Sequence, residues 1–328
     1  MMMTKISRRR WLQASTAVAF LPAATRIARA DTYPSRPVRM IVGFPPGSSS
    51  DIVARVICQA LSERLGQPFI VDNRPGASGT LGTELATKAE PDGYTLLYIL
   101  SSNSINASLF AHLNFDFVRD IAPVASIDRI PMVMEVNPAV PAHTVPEFIA
   151  YAKANPGKIN MASGGNGSPQ HVAGELFAML TGVKMVHVPY KGAGPALTDL
   201  MEGQVQVMFD VMAASIGFIK AGKLRPLAVC TTDPVPALPD VPPLDRFVPG
   251  YEASAWHGIG APAKTPGNII ATLHDAADAL LADAKVTARL NQLGVTPAPM
   301  TIAAFKKFIA DDTAKWAKVI KFSGAKAE

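Results

Sequence analysis

Short apolar runs alternate with amphipathic stretches along the chain, and this alternation restricts the fold more than any other feature. Val38–Val42 has the length of a strand, and apolar residues at helical spacing follow over 52–65. Phe69–Val71 and Tyr94–Leu100 are further apolar runs, separated by a second helical stretch that ends near Lys88. Strands alternating with helices of this length favour an α/β protein whose mostly parallel sheet is covered on both faces.

A second block of the same kind begins near Pro131. Thr144 and Glu147 form a capping-box pattern that predicts a helix to Lys153. The strands predicted in this block are Val133–Val136, Ile159–Ala162, Lys184–Val188, Val205–Phe209 and Leu227–Cys230. The block ends in a proline-rich stretch, after which an extended segment and two further helices follow.

The block boundaries near residues 131 and 253 predict two domains, one inserted into the other. We expect lobe 1 to comprise residues 31–130 and 254–328, and lobe 2 to comprise residues 131–253. The chain then crosses twice between the lobes, and the two crossing segments would act as a hinge.

Two loops that are poor in charge lead directly into helices, one in each block. The first loop is Gly43–Asp51 and the second loop is Ala162–His171. Glycines allow the backbone to turn, and hydroxyl groups collect where the first N–H groups of a helix lack intrahelical partners. Because the helix dipole is positive at that end, such a loop can hold an anion or can simply be a well-capped helix start. Neither loop contains Lys or Arg, which favours a carboxylate held by neutral donors.

Some side chains near these loops have two interpretations that the sequence leaves open. Ser168 has the position of an N-cap followed by Pro169, so its hydroxyl either caps the helix or also touches a ligand. Asp210, at a strand end, either accepts a hydrogen bond from a ligand or caps the next helix. Phe44 and Trp256 either line a ligand pocket or belong to the core.

An enzyme is the less favoured alternative. Ser168 and His171 have the spacing of a Ser–His pair, which makes a hydrolase conceivable, but no nucleophile-elbow motif is present. The first loop lacks the lysine of a phosphate-binding loop. The six histidines have no metal-ligand spacing, so we expect no metal and no cofactor. Cys58 and Cys230 lie in apolar contexts, which favours two buried thiols over a disulfide.

The first 30 residues have the composition of an export signal. Ser7–Leu12 contains a twin-arginine pattern, a weakly apolar stretch follows over Leu12–Ala24, and Ala28–Ala30 is a small-residue cleavage site. The apolar stretch is shorter than the roughly 20 residues that a membrane span requires, so a cleaved signal is favoured over an anchor. We therefore expect a periplasmic protein, cleaved after Ala30.

The export signal also explains the basic charge of the whole chain. Six of the 31 basic residues and none of the 26 acidic residues lie in residues 1–30, which leaves 25 basic and 26 acidic side chains afterwards. The remaining chain has a net charge of −1 and no basic run interleaved with aromatic residues, which excludes nucleic acid as the expected partner.

Eight short segments of the chain, taken together, resemble one protein family. They are Pro34–Arg39, Phe44–Gly47 with Asp51, Asn73–Ala77, Pro91–Leu97, Ala162–His171, Val188–Gly192, Gly222–Ala228 and Leu238–Pro242. In this order they resemble the Bug proteins, the periplasmic solute receptors of tripartite tricarboxylate transporters, over about residues 33–321. One position differs, because the family commonly has Gly-Gly where this chain has Gly47-Ser48.

The resemblance implies a type II periplasmic-binding-protein fold, in which two α/β lobes close on a ligand like a Venus flytrap. It implies a non-catalytic, monomeric receptor that binds a small organic acid and delivers it to integral-membrane permease subunits. A receptor that signals to a partner protein is the alternative. The ligand-binding candidates that the resemblance implies are Phe44, Gly47, Ser48, Ser49, Ser50, Asp51, Ser101, Asn103, Ser163, Asn166, Gly167, Ser168 and Asp210.

Overall fold

The apolar runs of the sequence become strands in a computed structural model, which describes residues 33–327. The strands in these residues are β1 (Val38–Val42), β2 (Phe69–Asn73), β3 (Thr95–Leu100), β4 (Ile121–Val136), β5 (Ile159–Ser163), β6 (Met185–Pro189), β7 (Val207–Val211), β8 (Arg225–Val229), β9 (Ser254–Pro262) and β10 (Thr296–Pro297). The predicted signal peptide and its cleavage after Ala30 lie outside the described residues.

Helices follow most of the strands, as the alternation predicts. They are α1 (Ser49–Leu65), α2 (Thr80–Thr87), α3 (Ser101–Leu109), α4 (Phe117–Asp120), α5 (Val145–Ala154), α6 (Pro169–Thr181), α7 (Ala193–Glu202), α8 (Met212–Lys220), α9 (Gly267–Leu281), α10 (Ala284–Gln292) and α11 (Ile302–Ser323). None of the helices in residues 33–327 combines the length and the hydrophobicity that a membrane span requires.

The long strand β4 connects two sheets. The first sheet has the order β2–β1–β3–β9–β4 and the second continues as β4–β7–β5–β6, while β8 and β10 also pair with β4. Strand β4 pairs with β9 over Ile121–Pro131 and with β7 over Met132–Val136. The two sheets with their helices form the two lobes of an α/β fold.

The prediction of a mostly parallel sheet is wrong at the centre of the fold. Strands β1 and β5 have parallel neighbours, but the strands that pair with β4 in the described chain are all antiparallel to it. The reason is the chain path, because β4 leaves the first sheet for the second and β9 returns, so the two must run in opposite directions.

The last helix, α11, packs against both lobes. Its first half contributes Phe305 and Ile309 to an apolar cluster of the first lobe. Its second half contributes Trp316 and Val319 to a cluster that contains Phe209 of the second lobe. One helix therefore connects the two cores.

The structure resolves two of the alternatives that the sequence left open. Trp256 is a core residue, only 1% exposed, and its Nε1 donates to Asp312 Oδ2 at 3.0 Å. Cys58 and Cys230 are free and buried, and burial raises the pKa of each thiol to about 12.

Candidate functional site

In the first loop, the Asp51 carboxylate holds the backbone in place. Its Oδ2 accepts from the Gly47 N–H at 2.9 Å and from Arg55 Nε at 3.0 Å, and its Oδ1 accepts from Asn73 Nδ2 at 2.9 Å. The Asn73 amide also donates to the Phe44 carbonyl oxygen at 3.0 Å. Burial acts to raise the pKa of Asp51, but the hydrogen bonds from Arg55, Gly47 and Asn73 outweigh burial and lower this pKa. An ionised carboxylate therefore sets the shape of the first loop.

Ser48 begins the helix that follows the first loop. It has extended backbone angles, and its Oγ accepts from the Asp51 N–H at 3.3 Å, so it is the N-cap of α1. The Ser50 hydroxyl lies 3.2 Å from the same Oγ. The serine that replaces the usual family glycine thus supplies a helix cap.

In the second loop, Ser168 is the N-cap of α6, as predicted. Its Oγ accepts from the His171 N–H at 3.2 Å. The side chain of His171 then turns back, and its Nδ1 accepts from the Gly167 N–H at 3.1 Å. Because Gly167 has φ +71°, a conformation that favours glycine, this bond fixes a backbone turn that most residues would strain.

A second histidine completes the support of the second loop. The His187 ring stacks on the His171 ring with 3.6 Å between centroids, and its Nε2 lies 2.6 Å from Ser163 Oγ. Burial, reinforced by the neighbouring His171, lowers the pKa of His187 to about 4. An uncharged His187 imidazole therefore supports the second loop at neutral pH.

A cavity of about 380 Å³ lies between the two loops and is lined by residues of both lobes. Its wall consists of small, polar and apolar side chains with a single histidine. The lining residues are Phe44, Ser48, Ser49, Ser50, Leu100, Ser101, Ser102, Ile130, Gly164, Pro169, Gln170, Gly192, Ala193, Val211, Ala255 and His257.

Four helices begin at this cavity, two in each lobe. Ser49 starts α1, Ser101 starts α3, Pro169 starts α6 and Ala193 starts α7, and all four residues line the cavity. Their free N–H groups and dipoles create a positive potential although no Lys, Arg, Asp or Glu among residues 33–327 lines the wall. The arrangement suits a small anion and provides hydrogen-bond donors without a fixed charge.

Buried acids lie behind the wall of the second lobe. The Gln170 side chain lines the cavity, and its Nε2 donates to Asp210 Oδ1 at 3.3 Å. Burial raises the pKa of Asp210 to about 6, although hydrogen bonds from Gln170 and from the Val211 N–H oppose this shift. Burial and the nearby Asp210 also raise the pKa of Glu135 well above its usual range. Asp210, which lies outside the wall, thus orients the Gln170 amide that lines the cavity.

The structure divides the predicted site residues into two groups. Five of them line the cavity: Phe44, Ser48, Ser49, Ser50 and Ser101. The other eight lie outside its wall: Gly47, Asp51, Asn103, Ser163, Asn166, Gly167, Ser168 and Asp210.

Several residues outside the wall hold its elements in place. Asn103 Oδ1 accepts from the Leu100 N–H at 2.8 Å, and its Nδ2 donates to Thr83 Oγ1 at 2.7 Å, which anchors the start of α3. Ser163 accepts from the Gly165 N–H at 3.1 Å and is fully buried. Asn103 lies in the first turn of a helix and Ser163 at the end of a strand, positions that a sequence pattern cannot distinguish from those of ligand contacts.

Sequence reasoning missed the polar wall residues Ser102, Gln170 and His257 and the small wall residues Gly164, Gly192, Ala193 and Ala255. Ser102 Oγ is buried and has no hydrogen-bond partner among the described residues. Ala255 and His257 share one face of β9, while Trp256 between them faces the core. The alternation along this strand was the available signal, because a core tryptophan places both of its neighbours on the opposite face.

The geometry does not provide a nucleophile for a hydrolase. Ser168 Oγ contacts the backbone N–H of His171 rather than its ring, whose Nδ1 is occupied by Gly167. Ser163 does contact a ring nitrogen of His187, but Ser163 has 0% exposure and cannot meet a substrate. Within residues 33–327, no cluster of three or more potential metal ligands is found.

Two α/β lobes joined by crossing strands, with helix N-termini directed at an interlobe cavity, define a solute-binding receptor of the periplasmic class. Residues 53–325 match the family model of the tripartite tricarboxylate transporter family receptor, and the chain belongs to this family. It is therefore a receptor and not an enzyme.

Relatives of known sequence and structure agree with this assignment. The chain is 38% identical to Protein BugT of Bordetella pertussis over 90% of this chain and 92% of that protein. Among solved structures, Rpa4515 of R. palustris with adipate is 35% identical, with a TM-score of 0.76 over 89% of this chain and 98% of that one. MatC from Rhodopseudomonas palustris with bound malate is 31% identical, with a TM-score of 0.72 over 88% of this chain and 100% of that one.

Proposed function

We propose that this receptor captures a small organic acid in the interlobe cavity and delivers it to a membrane transporter. The observation that carries the proposal is the convergence of four helix N-termini, two from each lobe, on one cavity whose wall has no fixed charge. Helix N-termini bind carboxylates through N–H groups and the helix dipole. Two similar receptors have been solved with adipate and with malate, which supports an organic acid as the ligand.

The ligand contacts that we propose follow from the wall of the cavity. Phe44 supplies an apolar side, and Ser48, Ser49, Ser50 and Ser101 supply hydroxyl and N–H donors. The remaining candidates have supporting roles: Gly47, Asp51 and Asn103 hold the first lobe, and Ser163, Asn166, Gly167, Ser168 and Asp210 hold the second. In this proposal the ligand touches few of the side chains that shape its site.

Closure of the lobes is the second part of the proposal. We place the hinge where the chain crosses, near residues 131 and 253, with lobe 2 over residues 131–253. At this crossing the Cys230 N–H donates to the Met132 carbonyl at 2.8 Å, and the Ala253 N–H donates to the Cys230 carbonyl at 2.9 Å. A ligand that contacts both loops favours the closed form, because only that form makes both sets of contacts.

The proposal also names the membrane partner of the receptor and its place in the cell. The family is one of periplasmic receptors for tripartite transporters, which favours delivery to integral-membrane permease subunits over signalling to a sensor. We propose that the receptor is exported, cleaved after Ala30 and active as a monomer.

A thermal-unfolding screen of residues 31–328 tests the proposed ligand class. The panel contains adipate, malate, succinate, hexanoate, amino acids and neutral polyols. An acid present at a hundred times its dissociation constant adds about 2.7 kcal/mol to the free energy of unfolding, so a binder raises the melting temperature measurably. A melting temperature that no acid raises would contradict the proposal.

A pair of matched variants locates the binding. Ala193 and Ala284 are each the first residue of a helix, but only Ala193 lines the cavity. We expect Ala193→Phe to abolish the acid-induced shift by filling the cavity, and Ala284→Phe to retain it. Equal shifts in both variants would place the acid elsewhere.

A further inference from the structure

His257 is the one titratable side chain among the residues that line the cavity. It lies in β9, where its cross-strand neighbours are Leu100 of β3 and Asp128 of β4. Since Leu100 directly precedes α3, the imidazole is adjacent to one of the helix N-termini that surround the cavity. The His257 imidazole, which can carry a full positive charge, thus lies beside the uncharged N–H donors at the start of α3.

Asp128 fixes the orientation of this imidazole. Its Oδ2 lies 3.0 Å from His257 Nδ1, and Asp128 is fully buried. A carboxylate accepts only, so Nδ1 must carry the proton that it donates. Tyr98 of β3 also packs on the imidazole, with 5.1 Å between ring centroids. The histidine can therefore neither flip nor turn away from the cavity without breaking a buried hydrogen bond.

The two ring nitrogens of His257 differ in their partners. Nε2 makes no hydrogen bond to any residue in the described part of the chain, whereas Nδ1 is engaged. With Nδ1 protonated, Nε2 presents a lone pair when the imidazole is neutral and an N–H donor when it is cationic. A neutral ring would repel a carboxylate at this position, and a cationic ring would bind it.

We propose that His257, as an imidazolium, binds a second carboxylate group of the ligand and thereby selects dicarboxylates over monocarboxylates. One carboxylate of the acid accepts hydrogen bonds from N–H groups at the helix N-termini, and the other accepts a hydrogen bond from His257 Nε2. Asp128 is a positioning residue, which sets the ring orientation and stabilises its charge. This inference rests on the proposed function, because it names the class of acid for the same cavity.

Binding then couples to protonation. Where the free receptor has a neutral His257, the ligand carboxylate favours uptake of one proton from the solvent at Nε2. Within the described part of the chain, Asp128 bonds to the ring and Tyr98 packs on it. Burial raises the pKa of Tyr98 well above its usual range, so that it remains a neutral phenol. The positive imidazolium therefore lies between two carboxylates, one from the protein and one from the ligand.

The test compares adipate with hexanoate, a monocarboxylate with the same number of carbon atoms. Dissociation constants are measured by calorimetry from pH 6 to pH 9 for the wild type and for His257→Gln. His274→Gln is the matched control, because His274 Nδ1 also has a partner, the Val124 carbonyl at 2.9 Å, but His274 does not line the cavity. Repeating the titrations in two buffers of different ionisation enthalpy gives the number of protons taken up.

We expect adipate to bind roughly tenfold to a hundredfold more weakly to His257→Gln, the effect of one lost charge-assisted hydrogen bond. Hexanoate should bind the variant and the wild type within about threefold, because it lacks the second carboxylate. In the wild type, the preference for adipate should fall as the pH rises, with proton uptake in the same range. His257→Gln should lose both the pH dependence and the uptake, and Asp128→Asn should weaken adipate in the same direction.

A wild-type preference for adipate that stays constant from pH 6 to pH 9 would overturn the inference, as would an unchanged preference in His257→Gln. Binding of hexanoate without adipate would also overturn it, but would leave the proposed function intact. Failure of every acid in the screen to bind would contradict the proposed function and this inference together. The wild-type measurements decide the question even where a variant folds poorly.

Discussion

The two loops that face each other across the cavity have similar geometry, but different kinds of side chain hold their backbones in place. Each contains a serine N-cap, Ser48 or Ser168, and the first residue of each following helix lines the cavity. In the first loop an ionised carboxylate, Asp51, accepts from the backbone. In the second loop an uncharged imidazole, His171, accepts from the backbone and stacks on His187.

This difference gives the two loops different responses to acid. The lowered pKa of Asp51 keeps the first loop intact well below neutral pH. The acceptor nitrogen of His171 loses its lone pair when it is protonated, so the second loop depends on a neutral ring. One cavity can thus be built from supports of either charge type, and in the proposed binding mode the ligand contacts helix N–H groups and not the supporting side chains.

Removal of Asp51 should have the largest effect on stability. Asp51→Ala leaves the Gly47 N–H without its acceptor and removes one of the two acceptors of the Asn73 amide, and we expect a loss of about 3 kcal/mol in the free energy of unfolding. Urea denaturation at pH 7 measures it. Asp283→Ala is the control, because Asp283 is an exposed helix N-cap whose loss should cost only about 1 kcal/mol. Similar losses in both variants would show that Asp51 contributes no more to stability than an ordinary helix N-cap.

Neutralising Asp210 should stabilise the protein. The folded-state pKa of about 6 lies above the ordinary value of 3.8, so the folded state holds more protons than the unfolded state between about pH 4 and pH 6. The unfavourable contribution of the buried charge therefore grows as the pH rises through this window and is complete above it. We expect Asp210→Asn to gain roughly 3 kcal/mol at pH 7 and nothing below pH 4. A destabilised variant at pH 7 would contradict this.

Replacement of His187 should change how the free energy of unfolding depends on pH below about pH 6.5. Its folded-state pKa of about 4 lies below the ordinary value of 6.5, so its stabilising contribution is complete above about pH 6.5 and is lost as the pH falls towards 4. Because the ring is partly exposed, we expect a contribution of about 1 kcal/mol after solvent screening. The difference in unfolding free energy between wild type and His187→Gln should change over this window only. A difference independent of pH would indicate lost packing alone.

The smallest effect should come from restoring the usual family residue in the first loop. Glycine is nearly as good as serine at an N-cap, so Ser48→Gly should cost only a few tenths of a kcal/mol. Ser168→Ala, its counterpart in the second loop, should cost about 1 kcal/mol, because alanine cannot cap. A reversed order in denaturation experiments would mean that the Ser48 hydroxyl does more for the first loop than cap α1.

The elements with a strong period could be predicted from the sequence, and the crossing strands could not. The helical spacing over 52–65 and the capping pattern at Thr144 correspond to α1 and α5. By contrast, the first two thirds of β4 contain Pro123, Asp128 and Pro131, residues typical of loops, which are tolerated only because β9 pairs alongside. That pairing joins residues more than a hundred positions apart, and local patterns do not encode it.

Local sequence patterns also predict only part of the candidate site. Gly and Ser at helix starts marked both loops correctly, because capping is a local interaction that leaves a local pattern. Which side chains face the cavity depends on tertiary packing. Asp51 and Asn103 resemble ligand residues in the sequence but bond to the backbone and to Thr83 in the structure, whereas the only local signal for His257 was the alternation along its strand.

A crystal structure of the receptor with bound adipate would show whether helix N-termini hold the acid. We expect one carboxylate of adipate within hydrogen-bond distance of N–H groups at the starts of helices from both lobes, α1 or α3 on one side and α6 or α7 on the other. We also expect that no Lys or Arg contacts this carboxylate. An acid bound to one lobe only, or held by a basic side chain outside the cavity, would contradict the account.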